Sequence, residues 1–455
     1  MRPLRLSQLV GVFGAELVGG DAEFTAVSTD TRSLVGGELF VALSGPHFDG
    51  HAFVDAARSR GAVGALVSRR VACELPQLVV ADTLLALGRL GAYNRERFRG
   101  PLVGLTGSNG KTTLKEMIAA ILRQRGPTLA TRGNLNNDIG VPLTLLGLDA
   151  QAYAVIEMGA NHPGEIAYLT RLARPQVGVV NNAGPCHLEG FGDLDGVARA
   201  KGELFEHLPA GATAVINADD AYADYWRSRC AGRPVLEFGL DQPATLSARV
   251  LDAAARRYVL VTPVGEVELT LPLAGRHNLR NACAATAAAL AVGATLADVR
   301  AGLEGLEGVA GRFQRRAGRH GCVLIDDTYN ANPASLGAAL ETLGSEPGSH
   351  WLVLGDMGEL GARAAELHAA SGAQARRCGF TRLFACGEHS RHAAAAFGAA
   401  AVHFTGIEDL IAALDAALAD AGGPTVLVKG SRSARMERVV SALAIDNHDP
   451  AAGAH

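Results

Sequence analysis

The sequence predicts an α/β protein of three domains, and three observations carry that prediction. The chain is 455 residues long, about three domains at usual sizes. Short β-branched runs alternate with helical stretches along most of it, the pattern of parallel sheets joined by helical crossovers. One strand-to-helix junction carries a glycine-and-lysine loop, the opening of a nucleotide-binding unit.

Taken in order, residues 1–98 read as a small α/β N-terminal domain. A strand is expected at 39–43, followed by the loop Ser44-Gly-Pro-His-Phe-Asp-Gly50. Arg99-Gly-Pro101 reads as a linker. Residues 99–310 read as a central P-loop mononucleotide-binding domain, with a strand at 102–105, a glycine-rich turn and a helix over 111–125. Short apolar runs at 155–158 and 177–180 read as buried parallel strands. Helices are expected at 194–207 and 220–229, a β-hairpin over 258–271, and an Ala-rich helix at 279–292.

The third segment, 311–455, begins at Gly311-Arg-Phe313. Strand candidates at 323–325, 351–354, 383–385 and 426–428 alternate there with helices, which predicts a C-terminal Rossmann-like open parallel sheet. The Ala-rich stretch 395–401 reads as helix, and the tail from Asp446 as frayed.

Composition narrows the function classes. Hydrophobic residues make up 48% and charged residues 19% of the chain, as in soluble globular proteins with ample core. A net charge of −4 supplies no basic field for nucleic acid or an anionic membrane. At 5% aromatic residues there is little for stacking single strands. The seven cysteines are scattered and form no CxxC pair, which fits a reducing cytoplasm. Neither a signal peptide nor a spanning stretch is recognisable.

Thr106-Gly-Ser-Asn-Gly-Lys-Thr-Thr113 follows a strand and precedes a helix. Gly107 and Gly110 let the backbone N–H groups of Ser108, Asn109 and their neighbours close around phosphate oxygens, and the helix N-terminus adds positive dipole. Lys111 reaches the outer phosphates in such loops, and the hydroxyl of Thr112 ligates Mg²⁺. The full G-x-x-x-x-G-K-[ST] pattern fails, because Leu105 stands where its first glycine belongs. A plain glycine turn ahead of a helix is the bland alternative, and the flanking strand and helix favour phosphate.

Magnesium needs oxygen ligands, commonly a carboxylate alongside substrate phosphates. Glu157 ends a predicted strand, where ligands of open α/β sheets gather, although a strand-end Glu can equally cap the next turn. His187 follows the next strand in Asn181-Asn-Ala-Gly-Pro-Cys-His-Leu-Glu-Gly190, and a lone loop histidine is more often structural. Lys201 lies in a predicted helix, where lysines are usually solvated, and the residues alone give it no role.

Together these stretches resemble the Mur ligase family, the amide ligases of the bacterial cell-wall peptide. The glycine-lysine loop, the strand-end Glu, the strand-end His and the Ala200-Lys-Gly-Glu203 helix occur in that family's order. So do Gly275-Arg-His-Asn-Leu-Arg-Asn281, Gly311-Arg-Phe313 and Asp326-Asp-Thr-Tyr-Asn-Ala-Asn-Pro333. The resemblance covers nearly the whole chain, and seven motifs in order are a specific signal. Thr131-Arg-Gly-Asn-Leu-Asn-Asn-Asp-Ile-Gly140, Leu354-Gly-Asp-Met-Gly-Glu-Leu-Gly361 and Val428-Lys-Gly-Ser-Arg-Ser433 favour the branch that adds D-alanyl-D-alanine to UDP-N-acetylmuramoyl tripeptide.

The resemblance implies an ATP-dependent ligase working through an acyl phosphate, with ATP and Mg²⁺ as cofactors. It implies that Lys201 is carbamylated and joins Thr112, Glu157 and His187 around metal. Lys111, Glu157, His187, Lys201 and Arg312 would be catalytic. Asn278 would contact adenine, Arg312 the γ-phosphate and Asp327 the ribose, with residues 106–113 around the phosphates. Ser28, Thr29, Asp30 and Arg32, with Gly45 and His47, resemble the uridine-nucleotide site, where a polar turn is the alternative. Lys429 and Arg432 would meet the dipeptide or the acyl phosphate, although lone cations are more often surface charges. The implied partners are two small-molecule substrates, with no nucleic acid, no membrane, and a monomer as the working form. Competing readings are a sister ligase or a folylpolyglutamate-synthase-like enzyme, and, from another class, a non-catalytic nucleotide-binding regulator.

Overall fold

The structure, a computed structural model, describes residues 1–46, 48–308 and 311–445. His47 and the tail from Asp446 lie outside the described residues. Three sheets of five or six strands follow one another along the chain. The N-terminal sheet runs in the order Glu16–Val18, Gln77–Val79, Gly64–Val67, Glu38–Val41, Ala26–Ser28. Only the Glu16–Val18 edge is antiparallel.

The central sheet is parallel throughout, in the order Thr128–Ala130, Tyr153–Glu157, Leu102–Thr106, Val177–Val180, Thr213–Asn217, Val235–Phe238. Its inner strands are buried on both faces, which is why they read as unbroken apolar runs and not as alternating ones. The strand Leu102–Thr106 pairs with Tyr153–Glu157 on one side and Val177–Val180 on the other. Strand order therefore reverses at its carboxyl end, the place where open α/β sheets hold ligands.

The helix Lys111–Arg123 leaves that end and buries Leu114, Met117, Ile118, Ile121 and Leu122. These pack in one core with Ala282, Ala284, Ala285 and Ala288 of the helix Arg276–Ala291. Small alanine side chains let the two helices lie close. The predicted hairpin is present as Arg257–Thr262 and Gly265–Thr270, extended by Ser247–Asp252 into a three-stranded antiparallel sheet.

The helix Thr83–Arg97 ties the first two domains together. Leu87 and Leu90 enter the N-terminal core. Farther along, Asn94 Nδ2 donates to the Leu145 and Leu148 carbonyls at 2.8 and 2.9 Å, and buried Arg95 Nε donates to Ala173 O at 2.7 Å. Breaking those contacts would leave buried polar groups unpaired, a larger loss than the bonds themselves are worth.

The C-terminal sheet runs Gln314–Ala317, Val323–Asp327, Thr425–Lys429, His350–Gly355, Arg382–Cys386, Ala401–Phe404. It is parallel except for the first strand. The Ala-rich stretch differs from its reading as one helix. The helix Ser390–Phe397 stops at Gly398, whose φ of 101° no helix accommodates, and Ala401 begins the edge strand.

Candidate active site

A cavity of about 880 Å³ lies between the central and C-terminal domains. Ser108, Asn109, Gly110, Lys111, Thr112 and Thr113 line it from the phosphate loop, and Glu157, His187 and Asn278 line it from the rest of the central domain. Arg312, Asp327, Lys429 and Arg432 complete it from the C-terminal side. Residues distant in sequence and assigned to one reaction thus share one cleft.

The loop folds as its glycines require. Gly107 has φ 153° and Gly110 φ 75°, and a Cβ on Gly110 would lie 2.9 Å from Asn181 Nδ2. Lys111 Nζ arches back over the loop and donates to Gly107 O at 2.7 Å and Ser108 O at 3.2 Å. Thr106 is fully buried at the strand end, with its hydroxyl unpartnered. Asn181 and Asn182, quoted in the sequence reading but given no role there, clamp the loop from the neighbouring strand. Their side-chain amides donate to Asn109 O at 3.0 and 3.1 Å, and Asn182 Oδ1 accepts from Asn109 N at 2.8 Å. Their position just after a buried parallel strand was the available signal.

Glu157 is 2% exposed. Its Oε1 accepts from Asn136 Nδ2 at 2.8 Å, whereas Oε2 is buried with no hydrogen-bond partner. A buried carboxylate oxygen without a donor is costly unless a cation or donor meets it, so Glu157 fits a magnesium ligand. Asn136 is a third residue, after Asn181 and Asn182, to which the sequence alone gives no role. It belongs to the 131–140 segment, and Thr131 also fixes the strand end, its hydroxyl accepting from Glu157 N at 3.0 Å.

The expected metal set is not a ready-made acidic cluster. No group of three or more His, Cys, Asp or Glu side chains converges for a metal among the described residues. Thr112 Oγ1 accepts from Arg312 Nη2 at 3.1 Å. His187 Nδ1 faces the Glu359 carboxylate of the C-terminal domain, which holds that carboxyl below the usual range. Lys201 is buried behind the cavity wall with Nζ 5.4 Å from the Phe191 ring centroid. Burial first, then the charge of Lys111, lowers its pKa to about 8. The sequence reading of a solvated helical lysine is corrected: the side chain is fully enclosed.

On the C-terminal side the Arg312 guanidinium lies 4.0 Å from the Tyr329 ring centroid, a cation–π contact that holds it toward the loop. Asp327 Oδ1 accepts from Phe313 N at 3.2 Å, and Oδ2 accepts from Lys429 Nζ at 2.5 Å. Lys429 is buried and also donates to Asn330 O at 3.1 Å, so its charge is already engaged. Arg432 pairs with Glu437 at 3.4 Å. Asn278 Nδ2 donates to Ala274 O at 2.7 Å. Next to it His277 lines the cavity partly buried, and desolvation there pulls its pKa down to about 4.

Ser28, Thr29, Asp30, Arg32 and Gly45 do not line this cavity. Ser28 and Phe40 are paired on adjacent parallel strands, so the turn after Ser28 and the loop after Val41 leave one edge of the N-terminal sheet together. Asp30 caps the turn, accepting from Arg32 N at 2.9 Å, and its pairing with Arg32 lowers its pKa to about 2. Gly45 pairs with Phe48 across a short turn.

Comparison with known proteins follows the same division of the chain. Three family models match in order: Mur ligase family, catalytic domain, at residues 23–91; Mur ligase middle domain at 105–289; and Mur ligase, glutamate ligase domain, at 311–432. The UDP-N-acetylmuramoyl-tripeptide--D-alanyl-D-alanine ligase of Escherichia coli is 47% identical over 97% of this chain and 99% of its own. That of Bacillus subtilis is 33% identical over 92% of both chains. A crystal structure of MurF from Acinetobacter baumannii superposes with a TM-score of 0.92 at 36% identity, over 97% of this chain and 98% of that one. With three models matched in sequence order and near-full-length identity to several relatives, the chain belongs to the Mur ligase family.

Proposed function

We infer that the chain is the ATP-dependent ligase that joins D-alanyl-D-alanine to UDP-N-acetylmuramoyl tripeptide in peptidoglycan precursor synthesis. The near-full-length relatives carry that name, and a structural relative from Thermotoga maritima, with a TM-score of 0.81 at 28% identity, is a MurF in complex with ADP. The observation that carries the reading is the single cavity lined by Lys111, Glu157 and Arg312.

The reaction brings together two anions, a carboxylate and a triphosphate, so its barrier is largely electrostatic. A terminal carboxylate oxygen of the tripeptide attacks the γ-phosphorus, and the bond to the β-bridging oxygen breaks, releasing ADP. The loop amides and Lys111 hold the phosphates, and Arg312 offsets charge on the transferring group. The free amine of D-alanyl-D-alanine then attacks the acyl carbon, the amide forms, phosphate leaves, and the amine's proton passes to base. Glu157, with its unpaired Oε2, and the Thr112 hydroxyl would hold Mg²⁺, which when bound neutralises phosphate charge. Asn278 and Asp327 would meet the nucleoside, and Ser28, Thr29, Asp30, Arg32 and Gly45 the uridine end of the substrate.

Carbamylation of Lys201 is part of the proposal. CO₂ adds only to a neutral amine, releasing a proton, and burial increases the neutral fraction at Lys201. The product would be a carboxylate-like group beside the phosphate loop. We take residues 1–98, 99–310 and 311–455 as the UDP-substrate, ATP and C-terminal domains, acting as a monomer in the cytoplasm. No helix among the described residues is long and apolar enough to cross a membrane, and all seven cysteines are free thiols.

Phosphate release in the presence of ATP, UDP-N-acetylmuramoyl tripeptide and one of several amines tests the reading. Release that requires D-alanyl-D-alanine supports it. Release driven instead by a single amino acid points to a sister ligase, and none with any amine to a nucleotide-binding regulator.

A further inference from the structure

The segment after strand His350–Gly355 is tied to its own domain at Asp356, Met357 and Leu360. Asp356 Oδ1 accepts from the backbone N–H groups of His389 at 3.0 Å and Ser390 at 2.7 Å. Met357 is buried, and its N–H donates to His368 Nε2 at 2.9 Å. Leu360 is buried too. Glu359 turns its side chain outward, half exposed, with φ 61°.

Its carboxylate crosses the domain boundary to His187, which also has a positive φ, of 50°. The Glu359 carboxylate lies in ion-pair contact with His187 Nδ1, a contact that lowers the pKa of Glu359, and among the described residues no other group hydrogen-bonds that nitrogen. Side chains that are not glycine occupy the left-handed region at a cost, and such positions persist where the surroundings over-determine them and function uses them. Here two such residues meet, one from each domain, and His187 lines the cavity. The neighbouring turn follows: an added Cβ at Gly361 would lie 3.8 Å from Glu189 Cγ.

We propose that Glu359 is a positioning residue, whose carboxylate, supplied by the C-terminal domain, sets the tautomer and orientation of His187 at the cavity wall. A carboxylate against Nδ1 favours the proton there and leaves Nε2 with its lone pair, the arrangement by which acidic neighbours orient functional histidines. The segment carrying Gly355 to Gly361 thereby gains a role: it completes the central domain's site only when the two domains are together. The proposal rests on the ligase reading for its kinetic test, but not for its spectroscopic one.

In the full-length protein labelled with ¹⁵N-histidine, at a pH where His187 is neutral, its nitrogens should report the Nδ1–H tautomer. In Glu359→Ala they should shift toward the Nε2–H form, while Glu359→Gln, which can still accept the hydrogen bond, should keep the wild-type pattern. An unchanged tautomer in Glu359→Ala overturns the proposal whether or not the protein is a ligase. In turnover, Glu359→Ala should lower kcat about 10-fold, the low end for losing such a partner, with KM for ATP little changed and Glu359→Gln largely restored. The double variant Glu359→Ala/His187→Ala should be no slower than His187→Ala alone. Losses that multiply in the double variant, or equal losses in Glu359→Ala and Glu359→Gln, would show that Glu359 does not act through His187.

Discussion

Arg312 Nη2 donates to the Thr112 hydroxyl at 3.1 Å across the boundary between the central and C-terminal domains. An arginine belonging to one domain therefore stands at the N-terminus of the helix that follows the glycine-lysine loop of the other. Its guanidinium is braced on the Tyr329 ring, and its Nε is buried without a hydrogen-bond partner, a donor free for a transferring phosphoryl group. Arg312→Ala should cut kcat by about 10²-fold or more, as loss of one preorganised charge typically does. Arg312→Lys should recover little, because an ammonium cannot reproduce the planar fork. Steady-state phosphate release at saturating ATP checks both.

Lys111→Ala removes the charge that arches over the loop carbonyls. The loss of one such contact costs roughly 3–4 kcal/mol of transition-state stabilisation, about 10²–10³-fold in rate. Near-normal turnover of this variant at saturating ATP would remove the loop from the mechanism.

Lys201→Ala should be almost inactive and partly rescued by short carboxylic acids able to occupy the place of the carbamate. Mass spectrometry of the protein equilibrated with ¹³CO₂ and trapped by alkylation should label Lys201 in the wild type. An active Lys201→Ala variant, with neither rescue nor labelling, would leave Lys201 a packing residue.

His277 predicts an acid sensitivity of folding. In the unfolded chain it takes up a proton near its ordinary pKa of 6.5, and in the folded protein not until about 4. Between those values the unfolded state binds more protons, so stability falls as acid is added. Between pH 7.5 and pH 5.0 this amounts to about 2 kcal/mol, from 1.36 kcal/mol per pH unit below 6.5. His277→Asn should lose that much less over the same span in urea titrations. Equal losses in both proteins would mean that His277 is protonated in the fold.

What could be read directly from the sequence was what is local. The strand–loop–helix turn at Gly107-x-x-Gly110-Lys111-Thr112 depends on backbone conformation within a few residues, so glycine spacing and a flanking strand suffice. The parallel strands Val177–Val180 and Thr425–Lys429 were legible because burial on both faces makes them plainly apolar. Partners brought by the fold were not. Asn136, in the loop after Thr128–Ala130, meets Glu157, and Asn181 and Asn182 meet Asn109, because the strands these loops follow are neighbours in the sheet. The enclosure of Lys201 was equally hidden, since a helix with lysine on its inner face looks the same in sequence as one with lysine in water. The antiparallel edge Gln314–Ala317 was missed because its polar, half-exposed residues carry little apolar pattern. Family motifs pointed to several of these residues, but the physical reasons for them came from the fold.

Central to the whole account is transfer of the γ-phosphoryl group onto the tripeptide carboxylate within the cavity lined by Lys111, Glu157 and Arg312. UDP-N-acetylmuramoyl tripeptide labelled with ¹⁸O in its terminal carboxylate tests it directly. The account predicts one ¹⁸O atom in each phosphate released as D-alanyl-D-alanine is joined. Phosphate released without label while the amide forms would contradict it.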